Sequence, residues 1–450
     1  MAGGRFTPGV SKVRPGRYYY FKSARQEVLG ASDRGTVIIP LGTTDYGPSG
    51  EMMYITGENP DANLTKLGYS VYDNDPNGNM LMIREALKGA SKVIVYICPA
   101  GTAKATGTGG GLTGTAKYKG TRGNKLKYVI VANPVSGFDV TVFLDNAIVE
   151  EFNNVATYAD LAGSEWIDFA KSSDEAVIAV TSGVTLTGGT DSTVTSSEVT
   201  AFLTASEGEA WNVMAFPFTD SSLQAAVKTK VTYLINEVGK NVQAAVPAFT
   251  GADYEGIINV SNSYGLDGTD LTTAQATAYV AGITAGATAA DSNTGKIVSG
   301  AIKVVNPKSH EASVTAINNG EFFFSMSEAG NVVVEYDINS LVTFTGKDTG
   351  YRKNKIIRIF YLLQELIDAN FPVGKFSNDE IGWASAEGIG KSILLRLGPS
   401  DNGSGVITNI DFDNDFLVDR EMSTGDQMYF KVGIQPVDAA EKLYFTITTR

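Results

Sequence analysis

Cysteine and histidine are almost absent from this chain of 450 residues, which contains one of each. The single cysteine, Cys98, cannot form a disulfide within the chain, and its apolar surroundings predict a buried, unreactive thiol in a reducing compartment. One cysteine and one histidine also cannot complete a tetrahedral zinc site. The histidine, His310, lies in a polar segment that reads as a surface loop, and no G-x-S-x-G motif accompanies it, so catalysis by a Ser-His-Asp site is not expected.

Long hydrophobic runs are also missing. The longest mildly apolar stretch, AYVAGITAGATAA, is shorter than the roughly 20 residues of a membrane-spanning helix, and the amino terminus lacks the apolar core of a signal peptide. Basic residues are in the minority, with 36 Lys and Arg against 49 Asp and Glu and a net charge of −13. Because a field of this sign repels phosphate, we expect no nucleic-acid partner. Since no apolar run is long enough to span a bilayer, we also expect no direct insertion into a membrane.

The chain is long enough for several domains, and its pattern of helix and strand signals changes along its length. The segments TVIIPL, MLMIREALKGA and KVIVYIC read as strand, helix and strand, which predicts the first part of an α/β core over residues 23–99 with a parallel crossover. Short alternating strands between Gly/Thr-rich segments predict an inserted all-β, sandwich-like domain over residues 100–195. Helical and strand patterns then alternate again, which predicts the second part of the core over residues 196–348.

The remaining residues, 349–450, predict a C-terminal α+β domain that opens with the helix KNKIIRIFYLLQELIDANF. This helix is basic at its start and acidic near its end, an order that opposes the helix dipole. This charge order predicts that the basic end of the helix either has a partner outside the helix or forms a solvated basic edge. The residues concerned are Lys353, Lys355 and Arg358. Residues 372–405 fit no clear pattern. The segment EGIGKS in this stretch ends like a phosphate-binding loop but lacks its first glycine, so we interpret it as a turn that leads into KSILLRL.

Two acidic segments resemble cation sites. The segment DNDPNG (73–78) begins like a calcium loop, but Arg84 stands where the bidentate glutamate should be, so a turn that caps the next helix is favoured. Asp411, Asp413 and Asp415 lie on one side of an extended segment and indicate either a solvated acidic edge or a weak cation site. The sequence therefore predicts no cofactor and no firm metal site.

Both ends of the chain have strand patterns without an evident partner. Near the amino terminus, residues 1–22 form a predicted arm that contains Tyr18, Tyr19, Tyr20 and Phe21. At the other end, KLYFTIT alternates Leu443, Phe445 and Ile447 with Tyr444 and Thr446. A strand needs a partner strand, and terminal segments fray unless something holds them.

The sequence resembles the tail sheath proteins of contractile phage tails and R-type phage-tail-like bacteriocins, in particular the short type of Gram-positive hosts. The matching segments extend over essentially the whole chain and include MAGGRFTPGVSKVRPGRYYYFKS, SDRGTVIIPL, LMIREALKGASKVIVY, TAKYKGTRGN, LTGGTDSTVT, ADYEGIINV, KNKIIRIF and IQPVDAAEKLYFTI. Each segment is weak alone, but their order and spacing together are specific.

The resemblance implies a structural subunit, not an enzyme, that polymerises as stacked hexameric rings around a tail tube and contracts to drive the tube through a cell envelope. It implies exchange of terminal strands between subunits, which would place Tyr18–Phe21 and Leu443–Ile447 in neighbouring copies and Lys353, Lys355 and Arg358 towards the tube. Further implied partners are the tube, baseplate and tail-terminator proteins. Assembly is expected in the host cytoplasm, and the product is a virion or a released particle.

Two other functions remain open from the residues themselves. One is a hydrolase that uses aspartate pairs on the α/β core. The other is a module that binds carbohydrate or a cell surface through the β insert. A sheath should form tubes, whereas an enzyme or a lectin should remain a small oligomer.

Overall fold

The computed structural model describes residues 35–99, 101–399 and 403–449, together with the backbone of two short amino-terminal strands, β1 (Ala2–Arg5) and β2 (Arg17–Tyr19). These two strands pair with each other in parallel. Tyr20 and Phe21 lie outside the described residues, so the predicted exchange of the amino-terminal arm stays a prediction.

The first part of the core follows as β3 (Thr36–Leu41), β4 (Met52–Thr56), α1 (Leu64–Leu67), α2 (Asn79–Leu87) and β5 (Lys92–Ile97). The turn predicted at DNDPNG caps α2, because the Asp75 carboxylate accepts the backbone N–H groups of Asn79 at 3.0 Å and Met80 at 2.8 Å. This interaction satisfies two of the donors that the start of a helix leaves free. The segment is therefore a helix cap, as the sequence indicated.

The insert forms a sandwich of two antiparallel sheets. Its strands are β6 (Lys104–Gly109), β7 (Leu112–Lys119), β8 (Leu126–Ala132), β9 (Phe138–Leu144), β10 (Ala147–Val155), β11 (Ile167–Lys171) and β12 (Thr181–Thr185). One sheet has the order β10-β9-β8-β12 and the other has the order β11-β7-β6. Their inner faces share one apolar core that includes Tyr128, Val140 and Trp166, as expected from the alternating pattern.

The second part of the core begins with α3 (Ser196–Ala205), β13 (Val213–Ala215), α4 (Ser221–Tyr233), β14 (Gln243–Pro247) and β15 (Ile257–Val260). It continues with β16 (Ser263–Leu266), β17 (Thr269–Asp270), α5 (Thr273–Gly286), β18 (Lys303–Val305), α6 (His310–Asn318), β19 (Glu321–Phe322), β20 (Phe324–Met326) and β21 (Val332–Val334). His310 is exposed at the start of α6, so the expected loop at this position was wrong.

The two parts of the core share one seven-stranded sheet with the order β19-β15-β14-β13-β3-β5-β4. The sheet is parallel except for the edge strand β4. Val37 of β3 pairs with Val213 of β13, so the sheet continues across the insert. Helices α2 and α5 cover one face and α3 and α4 cover the other, which explains why the strands are apolar on both sides.

The C-terminal domain contains α7 (Asn354–Asn370), α8 (Glu380–Leu397), β22 (Ile407–Thr408), β23 (Phe416–Val418), β24 (Phe430–Val432) and β25 (Gln435–Pro436). The segment EGIGKS lies inside α8, so the turn that the sequence suggested was wrong. The two helices pack on β22 and β23 to form a separate apolar core. The mixed α/β fold with a β-sandwich and a C-terminal domain agrees with the sequence prediction.

Candidate assembly interface

The last residues of the chain extend away from the C-terminal domain. The N–H of Val437 donates to the carbonyl of Val406 at 2.8 Å, next to the β22–β25 ladder. Residues 442–449, here called the C-terminal arm, form no ladder with any other strand that the structure describes. The apolar side chains of the arm are exposed to 67% at Leu443, 90% at Tyr444, 81% at Phe445 and 87% at Ile447. Large side chains with period-two alternation are thus left in solvent, which is unusual unless they contact another molecule.

The residues just before the arm, 438–441, are held in place and are here called the arm root. The carboxylates of Asp438 and Glu441 both lie 2.6 Å from the ammonium of Lys353. The other oxygen of Glu441 accepts hydrogen bonds from the hydroxyls of Ser292 at 2.8 Å and Thr294 at 2.6 Å. Burial lowers the pKa of Lys353, but the two carboxylates outweigh this effect and the net pKa is raised. The root is thus fixed while the arm is free.

The basic start of α7 has its partners within the same chain. The side chain of Arg358 is 9% exposed and donates to the Asp337 carboxylate at 3.0 Å and to the Asp291 carbonyl at 2.8 Å. Lys355 is likewise buried, at 8% exposure, and Lys353 binds the arm root. The chain itself supplies partners for Lys353 and Arg358, and Lys355 and Arg358 are buried, so the solvated basic edge that the sequence left open was wrong. Contact of these residues with a tube stays a prediction.

The C-terminal domain also offers open strand edges. Strands β22 and β25 form one two-stranded ladder and β23 and β24 form another, and no third strand lies beside either pair in the part of the chain that the structure describes. Isolated pairs of strands are only marginally stable in water, and an uncovered outer edge presents unpaired backbone groups. The edge of β23 is partly occupied, because the N–H of Val418 donates to the Glu387 carboxylate at 2.9 Å. The arm and the open edges are chemically complementary, because each lacks a ladder partner.

The acidic row in this domain forms a closed turn. Asp411 accepts the backbone N–H of Asp413 at 3.0 Å and the side-chain amide of Asn414 at 2.8 Å, and Asp415 accepts the N–H of Asp411 at 2.6 Å. The amide of Asn414 lowers the pKa of the Asp411 carboxyl. Within residues 35–99, 101–399 and 403–449, no group of three or more His, Cys, Asp or Glu side chains is arranged to hold a metal ion.

Cys98 lies buried against the sheet, and burial raises the pKa of its thiol to about 12, as expected for an unreactive core cysteine. No helix among the described residues is long and apolar enough to cross a membrane.

Models of sheath domains match almost all of the chain. The tail sheath protein Gp18 domain III N-terminal region matches residues 34–96, and the phage tail sheath protein beta-sandwich domain matches 100–191. The phage tail sheath protein central domain matches residues 192–340, and the phage tail sheath C-terminal domain matches 346–450. The chain belongs to the phage tail sheath family. Its β-sandwich is inserted into a core made of two separately matched parts.

Individual relatives agree with this assignment. The sheath protein is 34% identical to the phage-like element PBSX protein XkdK of Bacillus subtilis (strain 168), over 99% of both chains. It is 33% identical to the sheath tail protein of Desulfitobacterium hafniense, with a TM-score of 0.81 over 96% of this chain and 99% of that one. The helical sheath of the anti-feeding prophage in its contracted state shares the fold, with a TM-score of 0.54 at 14% identity over 98% of this chain and 100% of that one.

The sheath protein is therefore a structural subunit of a tail sheath. The sequence alone indicated a strand-like segment without an evident partner; in the structure residues 442–449 form no ladder with a described strand, and their strand character stays a prediction. The sequence missed the arm root, although a signal was present: two acids, Asp438 and Glu441, follow the last ladder, while the start of α7 carries an excess of basic residues. Charge complementarity between distant segments becomes evident only when the fold brings them together.

Proposed function

We propose that the C-terminal arm is donated to a neighbouring copy and that this donation links stacked hexameric rings into a sheath. The observation that carries the proposal is the exposure of Leu443, Phe445 and Ile447, which alternate with other residues along a segment that pairs with no described strand. Added to a strand edge, such a segment gains main-chain hydrogen bonds, each worth about 0.5–1.5 kcal/mol net. It also buries three large apolar side chains.

The acceptor is a two-stranded ladder of the neighbour's C-terminal domain. A third strand would satisfy an open edge and stabilise a ladder that is marginal by itself. Because the donated segment is tethered, its local concentration reaches about the millimolar range once the subunits are adjacent. The amino-terminal arm, with Tyr18–Phe21, is proposed to act in the same way.

Strand exchange allows a sheath to contract without falling apart. The arm is joined to the globular core through the short root only, so cores can rotate and slide while the donated strand remains paired. We propose that the subunits surround a tail tube, join a baseplate at one end and a terminator at the other, and drive the tube through a cell envelope. Assembly in the host cytoplasm precedes release of a virion or of a headless particle.

The alternative functions have less support. The match to sheath domains extends over both the α/β core, where a hydrolase site was considered, and the β insert, where a carbohydrate site was considered. Neither alternative accounts for the exposed arm.

Removal of the arm alone tests the proposal. A chain that stops after Glu441 retains the arm root and its ion pair, so we expect a monomer with an unchanged melting temperature. The full chain should form tubes or polysheath under negative-stain microscopy, and the shortened chain should not. Tubes from the shortened chain at the same protein concentration would refute donation of the C-terminal arm.

A further inference from the structure

We infer that Glu441 and Lys353 form a clamp that fixes the point at which the C-terminal arm leaves its own subunit. The inference rests on the proposed donation of this arm. The clamp sits one residue before the free segment, because residue 441 is bound and residues 442–449 are not part of any ladder in the described chain.

Three distant segments meet at the clamp. Ser292 and Thr294 come from the loop that follows α5 in the central domain, Lys353 precedes α7 in the C-terminal domain, and Glu441 lies near the end of the chain. The side chain of Glu441 is only 9% exposed and that of Lys353 is 16% exposed. An ion pair at this depth is screened much less by salt than a surface pair. The clamp therefore joins the arm to the central domain and to the C-terminal domain of its own subunit.

The surroundings of the clamp are themselves held by hydrogen bonds. The hydroxyl of Thr294 also accepts the backbone N–H of Asp337 at 3.0 Å, and the Asp337 carboxylate binds Asn354 at 2.9 Å and Arg358 at 3.0 Å. The Lys353 ammonium lies 5.6 Å from the centre of the Tyr336 ring. Glu441 is thus attached to an ordered polar network and not to a mobile loop.

The electrostatics at the start of α7 explain why Lys353 pairs with acidic side chains from a distant part of the chain. The first turn of α7 contains no acidic residue, and Lys353 provides no side-chain cap. A helix amino terminus favours negative charge, and here a lysine increases the positive potential. Asp438 and Glu441 supply the missing negative charge from the arm root.

The clamp shortens the tether of the arm. If the Glu441 contact opens, Asp438 still binds Lys353, so the free segment grows from residues 442–449 to residues 439–449. Effective concentration falls roughly as the −3/2 power of tether length, so opening lowers the local concentration of the arm at its acceptor about 1.6-fold. The clamp also fixes the exit direction. Glu441 and Lys353 are therefore positioning residues for donation.

The first measurement is made on monomers and does not depend on assembly. A nitroxide is attached to Ala440→Cys, which is an exposed position, while Cys98 is 4% exposed and does not compete for the label. Slow motion of the label is expected in the otherwise unchanged chain, and fast motion is expected with Glu441→Ala. The control Glu328→Ala removes an exposed carboxylate at the β20–β21 turn and should leave the motion slow. Slow motion with Glu441→Ala would overturn the clamp.

The second measurement is the critical concentration for tube formation. We expect an increase of about 1.6-fold or more with Glu441→Ala, and none with Glu328→Ala. Lys353→Glu releases Asp438 as well and should raise the critical concentration at least as much. The chain with Lys353→Glu, Glu441→Lys and Asp438→Asn, in which no carboxylate faces the new acid at position 353, should restore both slow label motion and assembly. Fast label motion with an unchanged critical concentration would overturn the positioning role. Assembly that survives loss of the whole arm would instead refute the proposed function, so the two failures are distinguishable.

Discussion

Glu85 is a charged residue of α2 that lies entirely inside the α/β core. Its side chain has no exposed surface, and its two oxygens lie 2.6 Å from the Lys88 ammonium and 2.5 Å from the Tyr264 hydroxyl. Lys88 is itself 5% exposed. Burial of a charge is costly unless a partner and hydrogen bonds compensate for it, so each member of this group depends on the others. Glu85 therefore stabilises the fold and is not a candidate catalytic acid.

Removal of Glu85 alone should be severe. We expect Glu85→Ala to lower the free energy of unfolding of the α/β core by about 3–5 kcal/mol, because the buried Lys88 ammonium loses this carboxylate and the Tyr264 hydroxyl loses its acceptor. Chemical unfolding of the monomer, followed by circular dichroism, measures the change. The double variant Glu85→Leu with Lys88→Leu removes both charges and should recover much of the loss. Equal losses in the single and the double variants would contradict this account.

Helix α8 is the element that the sequence failed to predict. Its glycines, Gly382, Gly388 and Gly390, weaken a helical pattern, and the run EGIGKS looked like a loop. Packing explains two of them: an added Cβ would lie 1.8 Å from the Ser377 carbonyl oxygen at Gly382 and 2.0 Å from the Phe416 ring at Gly390. The glycines allow close approach between elements, which depends on tertiary contacts that no local pattern reports. By contrast, α7 follows a clear apolar stripe and was predicted correctly.

Two neighbouring glycines of α8 should respond in opposite ways to alanine. Gly390→Ala places a methyl group against Phe416 and should destabilise the C-terminal domain by about 1–3 kcal/mol. Gly388→Ala meets no atom within 4 Å and should stabilise the helix by about 0.5–1 kcal/mol. Thermal melting of the two monomers is the measurement. A stabilised Gly390→Ala variant would show that α8 does not pack on β23 in this way.

At the scale of the whole molecule, the sequence predicted the layers better than the contacts between them. The parallel strands, the sandwich insert and the C-terminal domain follow from local periodicity. The shared sheet across the insert and the arm root depend on residues far apart in the chain, such as Val37 with Val213 and Lys353 with Glu441. The same subunit thus combines a closed α/β core with a C-terminal arm that has exposed apolar side chains and no ladder partner among the described strands. We interpret that asymmetry as the basis of polymerisation.

The most direct test of the central claim compares the two faces of the arm. Phe445 and Thr446 are adjacent, and both are exposed in the single chain. If the arm is donated as a strand, Phe445 enters the neighbour's apolar core and Thr446 faces the other way.

Phe445→Asp would then bury a carboxylate at every junction, at a cost of at least about 2 kcal/mol each, whereas Thr446→Asp should cost far less. Microscopy should find tubes with Thr446→Asp and none with Phe445→Asp, and both monomers should melt at the temperature of the unchanged chain. Tubes formed equally well by Phe445→Asp, or a lower melting temperature of its monomer, would contradict donation of the arm between subunits.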